Sequence, residues 1–473
     1  MSEIKNLFKN TTWMFLSNII LNVCSFIWTI LLARYLSVND FGILSFAMSF
    51  SALMTLIIDL GIALFATRDM SRDNNLISEY IGKLIPLKMI LAIFSIILSI
   101  IILLIMGKNR VTIFVSIIFI VQAIFISFDS LIQGSFQAVS KIRFIAIGGI
   151  LTSIITLSFI IFVIFFNYGL IFISIAYLFG YLVTTLYLYG NMLKHVIKPK
   201  LGLDFKFYKY AILNSIPFAL TILFTTLYFS IDTIMLSVII GDFSTGIYNA
   251  SYKIINVLVG LFPIYQTVFF PLMSKLFKES DDLLKLSFAK SIKYLLLFII
   301  PISLFVAVYA NQILNLIYGS KYSVSTGVMQ ILIWVIIFLF INAASSTLLN
   351  ASDKESSVTK IYGVVAFINF GLNLIFIPFL SYIGAALTTV ISEIIISILM
   401  IYEIKKTPYL PNNSILKDII KIIFACLILS PLLIFIKNMW IGLIVSFIVY
   451  MVLIIILKIF DNDDKMIIKE ILS

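Results

Sequence analysis

Charge is scarce in this 473-residue chain. Only 12% of residues are Asp, Glu, Lys or Arg, against roughly 25% in an ordinary soluble domain. Histidine occurs once, at His195, which excludes a histidine-rich metal centre. Cys24 and Cys426 are the two cysteines, and both fall in apolar stretches. A disulfide framework is therefore excluded. No GxxxxGK[ST] phosphate loop is present, so the chain carries no ATPase motor of its own. Nor is there a constellation of nucleophile and base that would mark an enzyme, or a motif that calls for a cofactor.

What the chain has in abundance is apolar length. Hydrophobic residues make up 62% of it. They are gathered into fourteen runs, at about 11–33, 42–65, 84–106, 111–133, 143–166, 169–189, 210–240, 243–273, 288–310, 324–349, 358–379, 383–403, 416–436 and 440–458. A helix needs about 20 apolar residues to cross the ~30 Å hydrocarbon core. Within lipid each backbone polar group must be paired inside its own segment, so the runs read as helices. The expected fold class is an all-α polytopic membrane protein of about fourteen spans. The first run is too long for a signal peptide and lacks a small-residue cleavage site, so it reads as a retained span.

Basic residues favour the cytoplasmic side. With the N-terminus inside, 27 of the 33 Lys and Arg fall in inner segments, five in outer turns and one, Lys253, within a span. This places both termini in the cytoplasm of a cell-membrane protein. It also absorbs the net charge of +11 as a collar beside anionic lipid, with no nucleic-acid partner required.

The chain reads as internally repeated. Leu36 to Ala47, LSVNDFGILSFA, and Ile240 to Ser251, IGDFSTGIYNAS, place an acid, a Gly-Ile step and small residues in the turns before spans two and eight. A weaker pair is Ile132-Gln133-Gly134-Ser135 and Leu349-Asn350-Ala351-Ser352. The expected organisation is a six-helix lobe over 1–200, a second over 201–405, and two further helices with a cytoplasmic tail over 406–473. Parallel repeats with a site between them are one transporter plan.

Polar residues inside the spans are the candidates for function, because they cost free energy there. One helical face carries Asn18, Asn22, Ser25 and Thr29 in span one. Others carry Ser45, Ser49, Ala52 and Asp59 in span two, Asn214, Thr221, Thr225, Tyr228 and Asp232 in span seven, and Asn249, Lys253, Asn256 and Gly260 in span eight. Such stripes serve either as interhelical hydrogen-bond glue or as the lining of a wet cleft. Their recurrence at the same rank in both halves favours the cleft. Asp232 and Lys253 lie at matching depth on neighbouring antiparallel helices. They form either a structural bridge or a gate in which Lys253, the one cation well inside a span, meets a substrate phosphate.

Glu393 lies near mid-membrane with no evident partner. It is either a protonated, hydrogen-bonded acid or a site for ion coupling, since a lone buried carboxyl has a raised pKa. Asp59 is a second coupling candidate, although Asp59 and Asp129 are also placed to meet the Arg68/Arg72 and Lys141/Arg143 clusters. Arg34 anchors the outer end of span one or rims the cleft. Pro217, Pro263, Pro271 and Pro301 mark bends.

Several segments together resemble a known family. Leu31 to Gly42, LLARYLSVNDFG, is similar to the first outer turn of the Wzx-like oligosaccharide flippases of polysaccharide biosynthesis, within the multidrug/oligosaccharidyl-lipid/polysaccharide exporter superfamily. So are Asp59-Leu60-Gly61 with Thr67-Arg68-Asp69, and Asp232 to Leu236 with Gly246 to Ala250. Asn373-Leu374 with Ile383 to Ala386 and Ile391-Ser392-Glu393 completes the set. The resemblance implies two six-helix lobes in a V around a cleft lined by helices one, two, seven and eight. It implies a transporter and not an enzyme, moving a polyprenyl-diphosphate-linked oligosaccharide to the outer leaflet by alternating access. H+ or Na+, a polysaccharide polymerase and glycosyltransferases are the further partners it suggests. One departure is that spans one and two lack the arginines of the related lipid II flippases, which argues against a peptidoglycan precursor.

Two other classes stay open: an ion-coupled multidrug or cation antiporter of the related extrusion family, and a non-transporting scaffold of a synthesis complex.

Overall fold

The computed structural model describes residues 2–260, 262–411, 413–460 and 464. Every regular element among them is helical. The chain divides into two compact units, Met1–Asn249 and Ala250–Ser473. The boundary falls downstream of the repeat boundary read from the sequence, because the first helix of the second repeat packs on the first unit.

The first unit holds α1 (Ser2–Tyr35), α2 (Val38–Asp59), α3 (Ile62–Arg72), α4 (Ile77–Ile105), α5 (Arg110–Ala138), α6 (Arg143–Phe165), α7 (Leu170–His195) and α8 (Phe205–Ile239), with the start of α9 (Asp242–Val259). Short polar side chains begin these helices by accepting from otherwise unpaired N–H groups. Ser37 Oγ takes the Asp40 amide at 3.0 Å, Asn109 the Thr112 amide at 2.7 Å, and Asp204 the Phe207 amide at 3.0 Å. The second expected span stops short of residue 65. Leu60 and Gly61 are both left-handed, at φ 47° and 72°, and turn the chain into the short helix α3. Glycine is needed at 61 twice over, since a Cβ there would also lie 2.6 Å from the Ala219 amide nitrogen of α8.

The second unit holds the rest of α9, then α10 (Phe262–Glu279), α11 (Asp281–Val308), α12 (Ala310–Tyr318), α13 (Thr326–Leu332), α14 (Val335–Ala351), α15 (Glu355–Lys405), α16 (Asn413–Phe435) and α17 (Met439–Ile456). The 51-residue α15 is not one rod. Its backbone breaks at Ser381, at φ 53° and ψ −133°. Asn369 bonds Ser392 at 3.1 Å and Thr388 bonds Asn373 at 2.6 Å. Each pair straddles the break symmetrically, so the two arms form an antiparallel hairpin and supply two of the expected spans. The C-terminal pair α16 and α17 packs on α11 through Leu297, Ile300, Ala425, Leu429 and Tyr450.

Eleven helices of the described residues are long and apolar enough to cross a membrane, or twelve if a bent pair at 320–351 is one span. Separating the two hairpin arms leaves one expected run, 243–273, unaccounted for. That run is broken near Gly260 into α9 and α10. Large apolar side chains cover the outside, including Phe165, Phe379 and Phe435, each about four-fifths exposed. Water would not tolerate so much apolar surface, and this is a multi-pass membrane protein.

The helix pairings of the first unit recur in the second. In the first, α2 packs on α4 and α5, and α4 on α5. In the second, α10 packs on α11 and α14, and α11 on α14. In span order these are the same neighbours.

Candidate functional site

A cavity of about 560 Å³ lies in the first unit between α2, α3, α5 and α8. One turn after another of α2 faces it, through Met48, Ser51, Ala52, Thr55, Leu56 and Asp59. From α5 come Phe119, Gln122, Ile126, Ser127, Ser130, Gln133 and Gln137, and from α8 Ile222 and Thr226. The break at Leu60-Gly61 turns α3 across one end, where Ala63, Leu64 and Thr67 complete the wall. Its lining contains no Lys, Arg or His.

Asp59 is the charged group of the lining, and its partner lies behind it. Lys88 of α4 is fully buried and donates to Asp59 Oδ1, to the Ser127 carbonyl at 2.8 Å and to Ser127 Oγ at 2.7 Å. Three acceptors satisfy the three ammonium protons, the condition on which a buried charge is tolerated. Ser127 Oγ also reaches Asp59 Oδ1, at 3.3 Å. The carboxylate and the ammonium compensate each other, so the cavity carries no net charge at this end.

This pair corrects two expectations. Asp59 does not meet the Arg68/Arg72 cluster, as Arg68 pairs with its neighbour Asp69 at 2.9 Å. Lys253 is not the one cation well inside a span, since Lys88 sits deep in α4 with apolar residues before and after it. Asp129 does not meet Lys141 and Arg143 either. It is 3% exposed inside the unit, while Lys141 binds the His195 carbonyl and Arg143 lies over the Phe144 ring.

The remaining candidates scatter between exposed and buried positions. Asn18 and Asn22 are exposed on α1, and Asn214 and Thr225 on α8. Thr225 Oγ1 returns its proton to the Thr221 carbonyl at 2.9 Å. The α8 residues at the cavity are one position away from the Thr221–Thr225 stripe, at Ile222 and Thr226. Ser49 is half-buried next to the wall residue Met48. Asp232 and Asn249 are about 95% buried and tie α8 to α9. Tyr248 donates to Asp232 Oδ2 at 3.1 Å, and Asn249 Nδ2 donates to Thr233 Oγ1 at 3.2 Å. In the second unit, Lys253 is half-buried and Asn256 exposed.

Glu393, also in the second unit, does have a partner. Asn342 of α14 donates from Nδ2 to Glu393 Oε2 at 2.6 Å, and Ser397 donates to Asn342 Oδ1 at 2.7 Å. The acid is therefore a member of a buried polar chain and not a lone carboxyl.

Sequence reasoning missed the α5 wall and Lys88. Gln122, Ser130, Gln133 and Gln137 follow one another at helical spacing, a stripe as regular as those on α1 and α8. Lys88 stands inside an apolar run, Leu84-Ile85-Pro86-Leu87 before it and Met89-Ile90 after it, a sign that it does not belong to the surface collar.

Residues 7–277 match a family described as polysaccharide biosynthesis protein, and residues 217–376 match the MatE family. The capsular polysaccharide biosynthesis protein CapF of Staphylococcus aureus is 24% identical over 407 residues, 84% of this chain and 99% of that protein. Among solved structures, the lipid II flippase MurJ in an inward closed conformation aligns with a TM-score of 0.77 at 17% identity, covering 94% of this chain and 98% of that one. An inward-facing multidrug resistance MATE family transporter aligns with a TM-score of 0.60 at 15% identity, covering 82% and 95%. At these identities the structural likeness establishes a shared fold.

Proposed function

The chain belongs to the polysaccharide biosynthesis protein family, and on that premise we propose that it is a flippase for a polyprenyl-diphosphate-linked oligosaccharide. It carries the repeat unit of a polysaccharide from the cytoplasmic to the outer leaflet of the cell membrane by alternating access. The observation that carries this reading is the polar cavity inside a bundle whose outer surface is apolar. A lipid-linked sugar presents the same division, with a large polar head that needs a lined cavity and a tail that stays in the bilayer.

Polar positions extend the cargo surface in each unit: exposed Asn18, Asn22 and Thr225 in the first, half-buried Lys253 and exposed Asn256 in the second. Lys253 is suited to a phosphate, being a cation on a helix that is otherwise apolar or neutral over its described length after Asp242. In this reading both termini lie in the cytoplasm, the orientation that the distribution of basic residues favours. Glu393 and Asp59 are the residues through which H+ or Na+ could drive the cycle. Glycosyltransferases supply the cargo and a polymerase consumes it on the other side.

The test is a deletion of the gene with complementation. Wild-type chain restores surface polysaccharide, and Lys253→Ala inserts normally but restores little of it. Full export by Lys253→Ala removes the lysine from the mechanism. Polysaccharide that is unaffected by the deletion itself refutes the flippase. The match of residues 217–376 to the MatE family favours a second reading, an ion-coupled drug or cation antiporter. A deletion strain that gains sensitivity to ethidium, with normal polysaccharide, would select it.

A further inference from the structure

We propose that the cavity of the first unit is the seat of the glycan itself, a neutral subsite that binds sugar hydroxyls and leaves the diphosphate outside. This rests on the flippase reading and adds to it which part of the cargo the cavity takes.

The first observation is an unsatisfied group. Gln122 lines the cavity, is 7% exposed, and its Oε1 has no hydrogen-bond partner. A buried amide oxygen left unpaired costs free energy; it is shielded as it stands, and a turn of the side chain would bring it to a ligand hydroxyl in the cavity that Gln122 lines. The second is the polarity of the other lining groups. Ser51, Thr55, Thr67 and Ser130 each donate to a carbonyl three or four residues back in their own helix. Their protons are committed, so they face the cavity as acceptors. Asp59 adds a further acceptor, because Lys88 and Ser127 both bond Oδ1. The amides of Gln122, Gln133 and Gln137 supply donors. A molecule rich in hydroxyls, each both donor and acceptor, matches such a wall. Its C–H faces can lie on Phe119, Met48 and Ile126.

The third observation is charge. A diphosphate would need cations, and no basic residue lines the cavity. A cationic drug would need a free carboxylate, and Asp59 is already neutralised by Lys88. What remains is a neutral polar ligand. The volume, about 560 Å³, lies within the ~300–1,000 Å³ usual for small-molecule sites.

The experiment uses the full-length chain in lipid nanodiscs and two probes. One is the lipid-linked repeat unit purified from host cells lacking this gene, and the other is the same polyprenyl diphosphate without sugar. Wild-type protein is expected to bind the glycolipid more tightly. Gln122→Leu should weaken it roughly tenfold, since a site built to hydrogen-bond a hydroxyl discriminates strongly, while sugar-free lipid binds as before. Thr226→Val, nearly isosteric and on another helix, should do the same to a smaller extent, and it decides the matter if Gln122→Leu melts early. Equal wild-type affinity for the two lipids, or equal weakening of both by the variants, overturns the glycan subsite and leaves the flippase standing. Wild-type protein that binds neither lipid overturns both.

Discussion

Gly42 on α2 meets the Asp242 carbonyl at the start of α9 so closely that a Cβ on the glycine would lie 1.7 Å from the oxygen. The contact is reciprocal. A Cβ on Gly246 would lie 2.1 Å from the Val38 carbonyl. In each case the glycine of one helix receives the carbonyl of the residue four positions before the other glycine. The two helix starts therefore cross about a local twofold axis. The repeated Gly-Ile step has a physical cause here, because only glycine lets two backbones approach in this way. Lys108 closes the same end, donating at 2.6 Å to the Ser237 carbonyl and at 3.3 Å to Asp242 Oδ1, with its ammonium over the Phe46 ring.

Gly42→Ala and Gly246→Ala should each lower the melting temperature of the purified protein. The clash is with backbone, which cannot rotate away, so the helices must separate, and overpacking of this kind costs about 1–3 kcal/mol. Gly190→Ala is the control. A Cβ there meets nothing within 4 Å, and helix propensity makes the change neutral or slightly stabilising. Equal melting temperatures for all three variants would show that the crossing is looser than described.

Lys88→Met leaves Asp59 as a charge without its counter-ion beside the cavity. Breaking a buried pair from one side costs about 3–5 kcal/mol. Asp59→Asn should be damaging as well, because the amide oxygen can still accept from the ammonium but no longer supplies its counter-charge. The double variant Lys88→Met with Asp59→Asn should recover a large part of the loss, since the penalty comes from the unpaired charge and not from the missing pair. Thermal unfolding of the four proteins checks this, and strictly additive losses would mean that the two residues do not interact.

How much of this was legible beforehand depended on sequence distance. Most spans were, because apolar length is a local property, although the run at 243–273 is broken into α9 and α10 and the second stops at Asp59. So was the Gly-Ile repeat. Asn342 lies 51 residues from Glu393, and nothing local announces their bond, so the acid read as solitary. Lys88 counts with the surface collar on sequence alone, because a positive charge near a span end looks like a surface residue until its burial is known. The stripe on α5 had the right period. Two-lobe symmetry does not select it, since that symmetry points to spans one, two, seven and eight, while the cavity wall is shared chiefly by spans two and four.

Glu393→Gln keeps an acceptor for Asn342 and loses the titratable proton. It should therefore fold as well as wild type. If this acid couples transport to H+, the variant's export should be slower and flat across the pH range in which the wild-type rate changes. Glu393→Leu should instead destabilise the protein, because Asn342 Nδ2 then lacks its side-chain acceptor, a loss of about 1–3 kcal/mol. Export by Glu393→Gln with the wild-type pH and sodium dependence would leave the residue with a structural role alone.

Asp464 is fully buried and holds three groups of α11 at once. It accepts from Lys290, Lys293 and the Tyr294 hydroxyl, each at 2.6 Å, and Lys293 reaches Asp418 of α16 at 2.7 Å as well. This cluster fastens the segment after α17 to the base of the second unit. Asp464→Ala removes the carboxylate that Lys290 and Lys293 both bond, while Lys293 keeps its bond to Asp418. The expected cost is about 3–5 kcal/mol, with faster proteolysis after α17 than in the wild-type protein. Lys275→Ala, at an ion pair that is mostly exposed, should change stability by less than about 1 kcal/mol. If the two variants melt together, the buried cluster contributes no more than a surface pair, and the tail is held by the apolar contacts of Ile459 instead.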